Sequence, residues 1–223
     1  MQLSVIIPTY NEERTIAELI SRVKSVNLEK EIIVVDDGST DNTPRILNSI
    51  DGITLISKKN GGKGSAIRAG IEKVSGEVVI IQDADLEYDP HDFIPMLEVM
   101  REEKADVVYG SRILHEKYKI SYRRYFWGGK LVTLVANILF GLSITDEPTC
   151  YKMIKTDLLK SLNLQCSRFE FCPEVTAKVA RRKIRIVEVP ISYYPRKIDE
   201  GKKINALDGI EAIWTLLKYR ILR

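Results

Sequence analysis

The chain has 223 residues, 44% of them hydrophobic and 29% charged, with a formal net charge of +3. That composition supplies the core of one large domain and excludes a disordered or low-complexity chain. Three cysteines without a CxxC pair exclude a disulfide framework and read as thiols in a reducing compartment, and two scattered histidines exclude a histidine metal centre.

The charge is uneven. Residues 168–223 carry 13 Lys and Arg against 7 Asp and Glu, so a basic end is joined to a slightly acidic body. A basic end suits an anionic partner. The longest strongly apolar stretch, residues 131–142, has 12 residues, whereas a membrane-spanning helix needs about 20. No signal peptide precedes the first strand. The expectation is a cytoplasmic protein that does not span a membrane but can lie on its cytoplasmic face.

The first predicted element is the strand Leu3-Ser4-Val5-Ile6-Ile7, followed by a helical pattern with the 3.6-residue period over residues 15–23. A β-branched strand at 32–35 precedes a helix over 43–50. The next pairs are a strand at 53–56 with a helix over 65–74, and a strand at 78–81 with a helix over 92–100. A fifth strand lies at 107–109. Strand–helix alternation implies an α/β fold with a mostly parallel central sheet flanked by helices. In such sheets ligands bind beyond the carboxyl ends of the strands.

Those ends hold the chemistry. Strand one runs into Pro8-Thr9-Tyr10-Asn11-Glu12, where a dinucleotide fold would need GxGxxG. An aromatic ring with polar neighbours suits a nucleobase instead, and Asn11 is also a helix cap. Strand two ends in Asp36-Asp37-Gly38-Ser39-Thr40-Asp41, which can accept from a base or a ribose or simply form a capped turn. After strand three, Asn60-Gly61-Gly62-Lys63-Gly64-Ser65-Ala66 offers Gly-rich backbone and a cation to an anion, though not in the P-loop pattern. Strand four delivers Asp83-Ala84-Asp85-Leu86-Glu87, oxygen ligands suited to Mg²⁺ or Mn²⁺ and, through the ion, to a diphosphate. Strand five ends in Gly110-Ser111-Arg112, a fixed cation beside the same crevice.

The second half is less regular. Residues 121–141 read as helix, 184–194 as a strand bent at Pro190, and 205–222 as an amphipathic helix. With no linker rich in Gly, Ser or Pro, the chain is expected to be a single domain. Residues 117–130 interleave Lys117, Lys119, Arg123, Arg124 and Lys130 with five aromatics. That mix suits a membrane interface, with packing on the sheet as the other reading and nucleic acid not expected. Trp214, Leu217, Tyr219 and Ile221 form either a second such contact or a helix covering the sheet.

Taken together, Pro8-Thr9-Tyr10-Asn11-Glu12, Asp36-Asp37-Gly38-Ser39, residues 60–64 and Asp83-Ala84-Asp85 resemble family 2 glycosyltransferases with the GT-A fold. More narrowly, they resemble the dolichol-phosphate mannose and dolichol-phosphate glucose synthase group. The run Thr145-Asp146-Glu147-Pro148-Thr149-Cys150-Tyr151-Lys152, then Arg168-Phe169-Glu170-Phe171, Pro173-Glu174 and Tyr194-Pro195-Arg196 through Lys202 and Lys203 carry the narrower likeness. The resemblance implies a nucleotide-sugar-binding half (1–112) and an acceptor-binding half (113–223). Pro8, Tyr10, Glu12, Asp37, Lys63 and Ala84 would contact the nucleotide sugar. Asp83 and Asp85 would hold the ion and diphosphate, and Glu87, where many relatives carry Gln, is a candidate third ligand. Arg112, Ser121, Arg123 and Arg124 are candidates for the acceptor phosphate. Arg196, Lys202 and Lys203 would close over the diphosphate.

The implied reaction is an inverting transfer of a hexose from GDP-mannose, UDP-glucose or a related donor to a polyprenyl or dolichyl phosphate. The alternative is transfer to a sugar hydroxyl, for which Asp146 is the expected base. Relatives often carry C-terminal membrane helices. This chain reaches Arg223 without one, so a peripheral enzyme or one with a membrane-protein partner is expected.

Overall fold

The computed structural model describes residues 1–115, 123–196 and 206–221. The five expected runs are strands: β1 (Leu3–Thr9), β2 (Lys30–Asp36), β3 (Thr54–Ser57), β4 (Val78–Ile81) and β5 (Val107–Ser111). Two more follow, β6 (Lys152–Lys155) and β7 (Ile186–Pro190). They form one sheet in the order β3-β2-β1-β4-β6-β5-β7. All pairings are parallel except those of β6, which runs antiparallel to β4 and β5. Val5, Ile6 and Ile7 of β1 are fully buried, as expected of a strand covered on both faces.

β1 lies between β2 and β4, so the chain leaves β1 toward one edge of the sheet and leaves β4 toward the other. A crevice opens where strand order reverses. Residues 8–12 and 83–87 are the segments that emerge there.

α1 (Ile16–Ser25), α2 (Thr43–Asn48), α3 (Lys63–Ile71) and α4 (Phe93–Glu102) cover the sheet. α1 buries Ile16, Leu19, Ile20 and Val23, the spacing that the sequence showed. α3 starts at Lys63, two residues before its expected start, because Gly62 turns the chain at φ 90°. A Cβ on Gly62 would come within 2.5 Å of the Ser167 carbonyl oxygen, so glycine is required there.

The second half holds elements absent from the expectation: β6, α6 (Thr156–Ser161) and α7 (Phe171–Arg181). Lys-Met-Ile-Lys does not read as a central strand. The structure accommodates it because the buried Lys152 ammonium has partners, its Nζ 3.6 Å from the Tyr109 ring centre, donating to the Glu147 carbonyl at 2.7 Å and 3.9 Å from the Glu147 carboxylate. The strand expected over 184–194 ends at Pro190, and beyond it Tyr193 forms an isolated bridge with Tyr88. α5 (Arg123–Phe140) and α8 (Ala206–Ile221) pack on each other and on α7 around Val132, Ala136, Ala177, Leu216 and Tyr219. Among the described residues no helix is long and apolar enough to cross a membrane. β6 and β7 join β4 and β5 in the same sheet, so both halves of the chain share one layer.

Candidate active site

The crevice is a cleft of about 1070 Å³. Its walls include Pro8, Tyr10, Glu12, Asp37, Lys63, Asp83, Ala84, Asp85, Glu87, Arg112, Arg124, Asp146 and Arg196.

Each carboxylate at the strand ends meets a cation or an N–H. Asp83 pairs with Lys63 at 2.5 Å. Burial opposes the Lys63 charge, but Asp83 outweighs it and holds the ammonium well above its ordinary value. Asp85 accepts from Arg196 Nη2 at 3.2 Å, while Arg196 Nη1 lies 3.3 Å from Glu12 Oε2. Burial, with Asp83 and Glu87 nearby, pushes the Asp85 carboxyl up to about 7 despite Arg196. Two carboxylates converging at low solvent exposure favour a cation between them. Asp83 and Asp85 therefore fit a hard divalent ion as two oxygen ligands, with the remainder supplied by ligand or water oxygens. Among the described residues no group of three His, Cys, Asp or Glu side chains is assembled for a metal.

Glu87 faces a different set of atoms. Its Oε1 accepts from the Arg196 backbone N–H at 2.7 Å and its Oε2 from the Tyr193 hydroxyl at 3.0 Å. Tyr194 N–H donates to the Glu87 carbonyl at 2.8 Å. Glu87 thus straps residues 193–196 to the loop after β4, which brings the Arg196 guanidinium to Asp85.

Asp37 is buried and accepts from Gly61 N–H, Gly62 N–H (2.7 Å) and Lys58 Nζ (2.5 Å). The N–H groups of Gly64 and Ser65 donate to the carbonyls of Arg168 and Ser167. The glycine turn therefore spends these N–H groups inside the protein. What it presents to an anion is Lys63.

Across the cleft, Arg112 and Asp146 form a closed pair. Asp146 accepts from Arg112 Nε at 2.8 Å, Nη2 at 2.7 Å and the backbone N–H at 3.0 Å. Burial works against the Asp146 charge, yet the Arg112 guanidinium holds the carboxyl below the usual range. Glu188 accepts from the N–H groups of Thr145 and Asp146 and fixes their loop. The Arg112 guanidinium also lies 5.1 Å from the Tyr193 ring centre.

The sequence pattern described as "Glycosyl transferase family 2" matches residues 4–162, more than half of the chain. The chain belongs to this family. It is a glycosyltransferase, and its sheet is that of the GT-A fold. It is 30% identical over 209 residues to the low-salt glycan biosynthesis hexosyltransferase Agl6 of Haloferax volcanii, covering 87% of this chain but only 48% of that protein. It is 26% identical to a UDP-N-acetylglucosamine–dolichyl-phosphate N-acetylglucosaminyltransferase of Methanococcus voltae, over 97% of this chain and 95% of the relative. With an undecaprenyl-phosphate mannosyltransferase of Micrococcus luteus the identity is 29%, over 98% and 94%. Among solved structures, glucosyl-3-phosphoglycerate synthase of Mycobacterium tuberculosis, in complex with Mn²⁺, UDP and glucosyl-3-phosphoglycerate, superposes with a TM-score of 0.75. That likeness covers 100% of this chain and 81% of the other at 22% identity, and it bears on the fold alone.

The glycosyltransferase thus gathers most of the sequence-derived candidates around one cleft. Arg123 is exposed and does not line it, whereas Arg124 does, stacked 4.8 Å from the Tyr125 ring centre. Ser121, Lys202 and Lys203 lie outside the described residues. Sequence reading missed Tyr88 and Tyr193 as walls of the cleft. It also missed the ties of Asp37 to the glycine turn. The signal for Tyr193 was available as an aromatic just past the Pro190 strand end, but its partner Glu87 is 106 positions away.

Proposed function

We propose that this glycosyltransferase moves a hexosyl group from a nucleoside diphosphate sugar, such as GDP-mannose or UDP-glucose, to a polyprenyl phosphate at the cytoplasmic face of a membrane. The observation that carries this reading is the closed Arg112–Asp146 pair. A hydroxyl acceptor needs a carboxylate base. Asp146, the expected base, is bound to three Arg112 groups and held below the usual carboxylate range, so it is a poor proton acceptor. A phosphate monoester needs none, because its second pKa is about 6 and it is mostly dianionic at pH 7. The two relatives covered nearly end to end are named for dolichyl-phosphate and undecaprenyl-phosphate acceptors, which supports the same reading.

Tyr10 offers a ring to the base, and Lys63 and Arg196 lie where the diphosphate charge falls. Asp83 and Asp85 would hold Mg²⁺ or Mn²⁺, which supplies positive charge to the leaving diphosphate. Arg112, kept in place by Asp146, and Arg124 face the acceptor phosphate and position it for attack. One displacement at the anomeric carbon forms the new C–O bond as the bond to the diphosphate breaks, which inverts the centre.

The test is labelled product from a panel of GDP- and UDP-sugars with Mg²⁺ or Mn²⁺ and a short polyprenyl phosphate. Labelled lipid that disappears with EDTA, and falls by about 10²–10³ in Asp85→Ala, is expected. Donor consumption that needs a sugar acceptor, and ignores lipid phosphate, would overturn the acceptor assignment.

A further inference from the structure

The loop that leads from Asp146 into β6 carries a second carboxylate, which the site described above does not use. Glu147 is fully buried, yet it belongs to the wall of the cleft. Three elements hold it directly. Its N–H donates to Thr133 Oγ1 of α5 at 3.0 Å, and its carbonyl accepts from Lys152 Nζ of β6 at 2.7 Å. Its Oε1 accepts from Thr176 Oγ1 of α7 at 2.9 Å and lies 3.9 Å from Lys152 Nζ. Thr176 in turn is paired with the hydroxyl of Tyr109 on β5. Among the described residues, Oε2 has no hydrogen-bond partner. A half-satisfied buried carboxylate costs stability that an apolar side chain of similar volume would not. Such local losses gather where a ligand completes the group.

The place of Glu147 indicates which ligand. The preceding residue, Asp146, is bound to Arg112. Further along the same loop, Cys150 Sγ lies 3.7 Å from Lys63 Nζ, and Lys63 pairs with Asp83. Residues 146–150 thus run from the arginine on the acceptor side to the cation on the diphosphate side. In a single displacement the anomeric carbon lies between leaving group and acceptor, so the hexosyl ring lies against this loop. The ring brings hydroxyls that lose water on binding and need acceptors. Around Glu147 the lining is Pro148, Cys150, Phe171, Cys172 and Pro173, and none of these side chains is a strong acceptor. Asp146 is engaged by three Arg112 groups.

We propose that Glu147 is a specificity-determining residue of the donor site: its Oε2 accepts from a hydroxyl of the hexosyl group and so selects sugars that carry a hydroxyl at that position. The inference rests on the nucleotide-sugar reading of the cleft and is independent of the acceptor. Thr133, Thr176 and Lys152 fix the other polar atoms of Glu147, so Oε2 keeps one position. A fixed buried acceptor rejects an analogue that lacks the matching donor, because the acceptor is then left unpaired. Burial raises the Glu147 carboxyl above its ordinary value, against Lys152 and Thr176, and a hydroxyl donated to Oε2 would join the groups that favour its charged form.

The test needs no acceptor. Wild type, Glu147→Gln and the double variant Lys152→Met/Glu147→Leu would be titrated by calorimetry in Mn²⁺. The double variant removes both partners of the buried pair together, so neither charge is left alone in the core. The probes are GDP, UDP, GDP-mannose, UDP-glucose and UDP-N-acetylglucosamine, then the monodeoxy analogues of the sugar that binds tightest. The nucleoside diphosphate is expected to bind all three proteins alike. Wild type should bind one monodeoxy analogue about 10- to 100-fold more weakly than its parent. The double variant should bind parent and analogue equally, and Glu147→Gln should fall between. Discrimination at the same position in the double variant, or at no position in wild type, would overturn the proposal. So would a parallel loss of nucleoside diphosphate affinity in the variants, the sign of a merely structural role. Absence of any nucleotide binding by wild type would remove the donor reading, and this inference with it.

Discussion

The wall of the cleft built by strand ends differs in kind from the wall built by α5 and α8. On the first, charges meet partners: Asp83 with Lys63, Asp85 and Glu12 with Arg196, Asp37 with Lys58 and two glycine N–H groups. Parallel strands set these groups at fixed heights, and the pairing holds their geometry before any ligand arrives. On the second wall the side chains are largely apolar, and many of them face solvent. One wall is preorganised for a charged ligand, and the other leaves room for a chain of hydrocarbon.

Removing one member of a buried pair breaks this contrast most strongly. Lys152→Met leaves Glu147, fully buried and with no hydrogen-bond partner on Oε2 among the described residues, without its cation. The expected loss is about 3–5 kcal/mol of unfolding free energy in denaturant titration, partly recovered when Glu147→Gln is added. If the double change recovers nothing, the loss does not come from leaving Glu147 without its cation.

Asp146→Asn sharpens the contrast at the site itself. It frees Arg112 without moving the backbone, and about 10- to 100-fold should be lost in kcat/KM through misplacement of the arginine. The acidic limb of the pH–rate profile should stay where it is. Disappearance of that limb would make Asp146 a base and return the hydroxyl acceptor to first place.

Gly62→Ala asks how rigid the strand-end wall must be. The new Cβ would stand 2.5 Å from the Ser167 carbonyl oxygen at a backbone φ of 90°. A loss of about 1–3 kcal/mol is expected, read as a lower melting temperature by about 2–4 °C per kcal/mol. An unchanged melting temperature would mean that the turn has no fixed geometry to protect.

The smallest effect concerns Asp92, which accepts from Ser192 N–H at 2.7 Å and so ties α4 to the segment after β7. Burial, aided by Asp89, raises its carboxyl to about 6. Between its ordinary value near 4 and pH 6, the folded protein holds a proton that the unfolded chain has released. This group therefore makes stability fall as pH rises through that window. Melting curves of Asp92→Asn should lack that part of the slope, and an identical slope would remove the assignment.

Local patterns made the first half legible. β-Branched runs of four to seven residues can only be buried strands in this alternation, and an acid directly after such a run must emerge at a strand end. Asp83, Asp85, Asp37 and Tyr10 were found that way. The second half resisted because its order comes from outside each segment. β6 is accommodated because Tyr109 and Glu147 provide partners for the buried Lys152 cation, and α7 was hidden by Pro173 near its start.

Likewise, the sequence determined which residue types gather at the cleft but not which of them touch. Arg112 and Asp146 are 34 positions apart, and Glu87 and Arg196 are 109. A carboxylate within a motif reads the same whether it faces a ligand, a glycine N–H or an arginine. Only the packing of distant loops over β1 and β4 decided that Asp146 is held by a cation, that Glu87 straps residues 193–196, and that α5 and α8 turn an apolar face outward. Periodicity fixes a helix's apolar stripes, whereas which stripe is covered depends on what the rest of the chain brings against it.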